Sequence, residues 1–319
     1  MKKLLAAMIF LSVAGANHPG AQASERVFGP VSSENYRGKP ATEHTARANA
    51  ALEKRLPKGD FLDGSMMTDF NEGTLVAPLP PVMGTNDMRK FEYLKGERPD
   101  PFNPSLFHAS RAAIEDVGLY RVAEGFYQIR GDIAHITAMR GETGWIILDP
   151  GTTKEFTEQA WAFAVQHLPG GAAVPIVAVF YSHSHIDHWG GVRGLVSRED
   201  VDSGRVKIIA PYGFMDETVA ENIIAGNAMS RRSQYQFGIT LPVLDDGTGF
   251  ATLGGALQMS HGETTLIAPT LTLPEGPGEI TKLEVDGVEI FFKDISGAEA
   301  PSAALLYVPK YKLIFNSEL

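Results

Sequence analysis

There is no cysteine among the 319 residues. That excludes disulfide staples, thiolate metal sites and a cysteine nucleophile together. Any bound metal must be held by nitrogen and oxygen. Basic residues are also scarce: 28 Lys and Arg stand against 38 Asp and Glu, a formal charge of −10. A nucleic-acid binder needs a basic footprint, so that class is excluded. An anionic small molecule is not excluded, because a cation held in a cleft reverses the local field. No apolar run is long enough to cross a bilayer as a mature helix, so no stable membrane anchor is expected. What remains is 44% hydrophobic and 21% charged, enough for a globular core in one or two domains.

The chain starts "MKKLLAAMIFLSVAGANHPGAQASE". Lys2 and Lys3, a short apolar run and the small-x-small triplet Ala21-Gln22-Ala23 have the order of a secretory signal peptide over residues 1–23. A periplasmic or secreted protein is expected. Removal of the two lysines would leave a charge of −12. Residues 24–115 are rich in proline, glycine and polar groups and read as an N-terminal extension that wraps its neighbour. Within it a helix is expected over about residues 42–56, stopped by Pro57. A second is expected from the Asn103 cap and Pro104 to Gly118, with Leu106, Ala109, Ala113 and Val117 as its apolar stripe.

Residues 116–319 change character. "FYQIRG", "AHITAM" and "GWIILDP" are short β-rich runs separated by turn residues. "TTKEFTEQAWAFAVQHL" has helical periodicity, with Thr152 and Glu155 at capping-box spacing. "VPIVAVFYS" is a continuous apolar run that suits a buried strand. Strand, helix, strand defines an α/β architecture.

Immediately after that strand comes "HSHIDHWGG". Three of the nine histidines, His183, His185 and His188, fall within six residues together with Asp187. A loop at the carboxyl end of a sheet strand is where α/β proteins place chemistry. His183 and His185, two apart, can turn to one ion, and Asp187 and His188 to a second beside it. Gly190 and Gly191 let the backbone pass close. Imidazole and carboxylate without thiolate suit zinc, iron or manganese.

His183-Ser184-His185-Ile186-Asp187-His188 resembles the His-x-His-x-Asp-His signature of the metallo-β-lactamase superfamily, and "WIILDPG" its earlier strand-end motif. The resemblance implies an αββα sandwich, with Asp149 supporting the site from behind its ligands. It also implies a third terminal ligand and a bridging acid further on. "VEIFFKDISGAEAPSA" leads a strand into a loop with Glu299 where the superfamily usually has histidine, and "KLIFNSE" ends at Glu318 in the bridging position. His261 is the competing third ligand. The implied set is therefore His183, His185, Asp187, His188, Glu299 and Glu318 around two Zn²⁺ that share a hydroxide nucleophile, with Asp187 as the catalytic acid group orienting the water.

Glu at the third position, "GFYQIRGDIAHITAMRGETGWIILDP", "NPSLFHASRA" and "RRSQYQFGITLP" are similar to the alkylsulfatases, which hydrolyse alkyl sulfates such as dodecyl sulfate. That likeness makes a linear alkyl sulfate the expected substrate, with Tyr235 and Arg231 or Arg232 as candidate sulfate contacts on the 231–242 loop. It also implies a further metal-binding histidine and dimerisation and lipid-carrier-like domains beyond Glu318. These 319 residues are accordingly expected to be a partial catalytic domain, of doubtful activity alone, with a homodimer only in the full-length form. The rival expectations are a β-lactamase, lactonase or thioesterase on the same fold, or an inactive metal-binding fragment.

Overall fold

The computed structural model describes residues 39–56, 73–244, 248–254, 256–274, 276 and 278–318. The signal peptide expected over 1–23 and the stop at Pro57 lie outside them.

Burial patterns along the strands set the layers. β7 (Trp145–Leu148) is buried at every position, and β8 (Ile176–Phe180) at its last three. Such strands need cover on both faces. β7 pairs in parallel with β8, Leu148 opposite Phe180, and β8 with β9 (Lys207–Ala210). β10 (Leu271–Thr272) extends the parallel side. On the other side β6 (Ile136–Arg140), β5 (Phe126–Arg130) and β4 (Gly118–Ala123) run antiparallel. β1 (Thr74–Ala77), from the N-terminal extension, closes the edge of this eight-stranded sheet.

One face of the sheet packs under α3 (Lys154–Ala164): Ile147, Val179 and Ile208 meet Phe156, Ala160 and Ala164. The other face, with Ile146, Leu148, Phe180 and Ile209, meets a four-stranded antiparallel sheet. That second sheet is β11 (Ile280–Val285), β12 (Val288–Asp294), β13 (Ala304–Val308) and β14 (Leu313–Phe315). Its Val288, Ile290, Phe292, Leu306 and Val308 point inward, and the Phe180 and Phe292 rings lie 5.2 Å apart. Each such buried side chain contributes about 1.5–3 kcal/mol. The outward positions carry exposed Tyr307 and Ile314, which are cross-strand partners.

A third cluster joins the extension to the body. Here α1 (Glu43–Glu53), capped by Thr42, contacts α2 (Pro104–Glu115), capped by Asn103. Phe91, Leu94, Phe102 and Phe107 pack with Phe250 and Leu257. The Asn103 cap is as expected, but α2 stops at Glu115 and Gly118 begins β4. Its buried face is Phe107 and Ser110, while Ala109 of the expected stripe is exposed. The aromatic cluster, not helical periodicity, chose that face.

Two further local expectations are corrected. The N-cap of α3 is Thr153, not Thr152, and it makes no side-chain capping bond. Thr153 Oγ1 donates to Ser260, and Glu155 accepts from the Glu263 amide, so the 260–263 loop holds the actual N-cap residue and the expected Glu155. Residues 231–237 are not a loop but part of α6 (Gly226–Phe237), closed by Gly238 at φ 69; α4 (Arg198–Asp202) and α5 (Phe214–Val219) precede it. The run 77–87 contains a small ribbon of β2 (Val82–Met83) with β3 (Asn86–Asp87).

Candidate metal centre

The loop after β8 turns back at once, because Gly190 and Gly191 press against other backbone. A Cβ on Gly190 would meet the Thr152 carbonyl oxygen, and one on Gly191 the Pro150 carbonyl oxygen and Thr157 Oγ1. Only glycine permits that approach. The loop is also tied to the second sheet: Ala304 N–H donates to Ser182 O at 2.9 Å and Ser184 N–H to Ser302 O at 3.2 Å. Those bonds bring the 295–303 loop, and Glu299 with it, to the histidines.

His183 and His188 are 1% and 3% exposed. The His183 Nδ1–H donates to Ser182 Oγ at 2.9 Å, turning Nε2 toward the other histidines. His188 Nδ1–H donates to Asp149 Oδ2 at 2.8 Å, leaving its Nε2 unpartnered. His185 Nδ1 lies 3.1 Å from His183 Nε2 and 3.5 Å from Glu299 Oε1. Asp187 Oδ2 and Glu318 Oε1 stand 3.3 and 3.5 Å from His188 Nε2. Glu318 Oε2 is 4.0 Å from His183 Nε2. Ligand atoms of His183, His188 and Glu318 lie within 4.8 Å of one another, as do those of His185, Glu299 and Glu318. Glu318 is common to both groups.

Asp149 holds the cluster from behind. It accepts from Ser182 N–H and Oγ–H at 2.7 Å each, from Ser317 Oγ–H at 2.9 Å and from His188. Asp149 and Ser317 both sit at positive φ, 56° and 54°, which is uncommon outside glycine although aspartate tolerates it better than most. Such outliers gather at functional sites.

The electrostatics follow from burial and neighbours. Burial, then the His188 charge, pushes His183 down to about 4, so it is neutral and free to ligate. Burial also opposes charging of His188, but Asp187 and Asp149 outweigh it and raise its pKa well above the ordinary value. Burial raises Asp187 in the same way, and the His188 charge brings it far below the usual carboxylate range. Contact with His188, against burial, lowers Glu318.

This donor set fits a divalent cation. His188 Nε2 is buried without a hydrogen-bond partner, and carboxylates flank it. Two ring nitrogens, His183 Nε2 and His185 Nδ1, face one another across 3.1 Å. Imidazole nitrogens and carboxylate oxygens that converge at this range are the ligand types a divalent cation takes.

The structure therefore gathers all six residues that the sequence reading named as metal ligands. His261 is exposed, with backbone bonds to Thr85, while Glu299 stands beside His185. Arg231, Arg232 and Tyr235 are exposed on α6, Tyr235 to 92%. Sequence reasoning missed Ser182, Ser317 and Glu221. Ser182 adjoins His183 and Ser317 adjoins Glu318, so proximity in the chain was a usable signal. Glu221 offered none: it sits in a helical stretch and reaches Ser184 Oγ at 2.6 Å only through the fold.

Residues 129–281 match the model of the Metallo-beta-lactamase superfamily. The matching segment has the mixed α/β, metallo-β-lactamase-like fold, and such a fold implies a divalent metal, for which the two donor groups are candidates. Within that superfamily its homologues are alkylsulfatases. It is 39% identical to the alkyl/aryl-sulfatase BDS1 of Saccharomyces cerevisiae, over 90% of this chain and 44% of the relative. It is 38% identical to an (R)-specific secondary-alkylsulfatase of a Pseudomonas species, over 90% of this chain and 43% of the relative. The solved structure of the stereoselective inverting sec-alkylsulfatase Pisa1 from Pseudomonas superposes with a TM-score of 0.77 at 36% identity, covering 87% of this chain and 43% of that one. The chain thus spans less than half the length of these relatives.

Proposed function

We propose that the chain holds the metal-centred catalytic half of a sulfuric ester hydrolase acting on alkyl sulfates, with linear esters such as dodecyl sulfate as the first substrates to try. The observation that carries this reading is the pair of overlapping donor groups sharing Glu318, on a chain whose homologues are named alkylsulfatases. By the resemblance His183, His185 and Glu299 would hold one Zn²⁺, Asp187 and His188 the second, and Glu318 would reach both; the donor groups themselves pair His183 with His188 and His185 with Glu299, with Asp187 beside His188. Bound there, the cations supply a lowered pKa for water and positive charge for the sulfate.

The chain's own residues do the rest. Asp187, kept ionised beside His188, accepts a hydrogen bond from the attacking water and orients it. Ser182 and Asp149 hold the ring planes of His183 and His188, so the ligand atoms need no rearrangement. The buried walls around His183 and His188 exclude bulk water and strengthen each of these contacts. Arg231, at the exposed start of the second half of α6, and Tyr235 are proposed to meet the sulfate group. The charged, apolar, small-residue order of residues 1–23 adds a proposal of export to the periplasm or beyond.

The test is release of inorganic sulfate from dodecyl sulfate by the zinc-loaded chain, with a chelator control. Chelator-sensitive release supports the reading. Zinc-loaded protein that hydrolyses a β-lactam, lactone or thioester and leaves alkyl sulfates intact would replace it with one of those activities. Protein that fails to bind zinc at all would remove it.

A further inference from the structure

Two of the three histidines have a neighbour that explains which ring nitrogen they present. Ser182 occupies His183 Nδ1 and Asp149 occupies His188 Nδ1, so both offer Nε2. His185 is reversed. Its Nδ1 faces the cluster, and its Nε2 points outward to Glu221 Oε1 at 3.6 Å. An imidazole presents one nitrogen as a ligand when the other carries the proton, and a carboxylate beyond that proton fixes the choice.

We propose that Glu221 is a positioning residue: it holds His185 in the tautomer protonated at Nε2 and so offers Nδ1 as a ligand atom. This rests on the reading of the cluster as a metal site. Glu221 is itself held in place. Its Oε2 accepts from Ser184 Oγ–H at 2.6 Å, and its side chain is 18% exposed. Asn222 Nδ2–H donates to Ser184 O at 3.2 Å, the same carbonyl that Trp189 Nε1–H reaches at 2.9 Å. The carboxylate thus bridges the residue between His183 and His185 to the second of those rings.

The local backbone is built for the task. Glu221 lies in a π-helical turn, Ala220–Ile224, between α5 and α6. Such wide turns are uncommon and concentrate at functional sites. Here the turn directs Glu221 and Asn222 at the histidine loop while Ile223 and Ile224 stay 74% and 80% exposed. An ordinary amphipathic helix would have buried the isoleucines and left the polar pair in solvent. The exposed isoleucines are the counterpart of Glu221 facing inward.

The test compares wild type with Glu221→Ala and Glu221→Gln in the whole 319-residue chain. Zinc affinity is read by competition with a chelator. The His185 tautomer is read by nitrogen-15 NMR of the zinc-loaded protein, because without a cation its Nδ1 faces the His183 Nε2 lone pair at 3.1 Å, and the melting temperature is taken without metal. Glu221→Ala is expected to weaken zinc binding about 10–100-fold and to shift His185 away from the Nε2–H form, with little change in melting temperature. Glu221→Gln, which keeps an acceptor oxygen, should recover most of both. An unchanged tautomer with unchanged affinity, or a loss confined to melting temperature, would overturn the proposal. A wild type that binds no zinc would remove the metal-site reading and the proposal with it, whereas zinc binding that Glu221→Ala leaves unchanged would overturn the proposal alone.

Discussion

The two sides of the cluster are built on different principles. The imidazole side rises from the carboxyl end of β8 in the eight-stranded sheet, where His183 and His188 are almost wholly buried and braced by Ser182 and Asp149. The carboxylate side comes from the four-stranded sheet, where the Glu299 and Glu318 side chains are 39% and 41% exposed. Among the described residues, no hydrogen bond is recorded to either carboxylate from its own sheet. The contrast teaches how such a site is assembled. One side is set rigidly by hydrogen bonds and fixes the ligand positions. The other carries charge on side chains that can adjust by an ångström when a cation arrives.

The sharpest way to break the comparison is at the rigid side. His188→Ala removes a buried ring nitrogen that has no partner and takes one donor away from Asp149. Zinc affinity should fall by roughly a thousandfold or more, measured by chelator competition. Asp149→Ala should act on folding as much as on binding. It strips acceptors from Ser182, Ser317 and His188 inside the protein, at about 3–5 kcal/mol. Urea denaturation of the metal-free chain checks this, and a loss below about 1 kcal/mol would mean that the support is not rigid.

A pH titration sharpens the same side without touching a ligand. His135, at the start of β6, is close enough to His188 to be repelled by it. Burial, Arg130 and His188 hold its pKa down to about 4 from 6.5, and its Nδ1 has no partner. A histidine depressed in the folded state binds protons more readily when unfolded. Its contribution is therefore complete above about pH 6.5 and is lost as the pH falls toward 4, on the order of 3 kcal/mol. Denaturant midpoints for His135→Asn should decline less over that window than those of wild type. Parallel curves would show that the ring is not buried in its neutral form.

The smallest effects belong to the adjustable side. Glu299→Gln and Glu318→Gln should each weaken zinc binding about tenfold, or about 1.4 kcal/mol, with no measurable loss of metal-free stability. Glu318→Gln should lower affinity for both ions and Glu299→Gln for one, because only Glu318 is common to the two donor groups. Stoichiometry by metal analysis distinguishes these outcomes. A Glu318→Gln chain that loses one ion and keeps the other at full affinity would break the bridging assignment.

Much of the rigid side was legible in the chain itself. Histidine, aspartate and paired glycine follow a buried apolar run, and short-range geometry then confines them to one strand-end loop. Asn103 and Pro104 were legible for the same reason, since a cap is decided within a few residues. The capping box at Thr152 failed because Thr153 is the N-cap and the distant 260–263 loop binds Thr153 and Glu155 instead. The stripe on α2 failed because an aromatic cluster formed from three chain segments outweighed periodicity. Residues 231–237 read as a loop because their polar composition hides a helix that buries no residue fully.

Composition and local order by themselves determined that the ligands must be imidazole and carboxylate, that three histidines and an aspartate share one loop, and that the core is α/β. Tertiary structure alone decided that Glu299 and not His261 stands beside His185, that Glu318 reaches both donor groups, and that Glu221 backs the reversed ring. The reason is physical. A loop a few residues long can hold its side chains in only a few arrangements, so its sequence nearly states its geometry. Groups from β12 to β14 and from the turn after α5 arrive only because two apolar sheet faces and a helical turn pack in one register, and packing of that kind is a property of the whole fold.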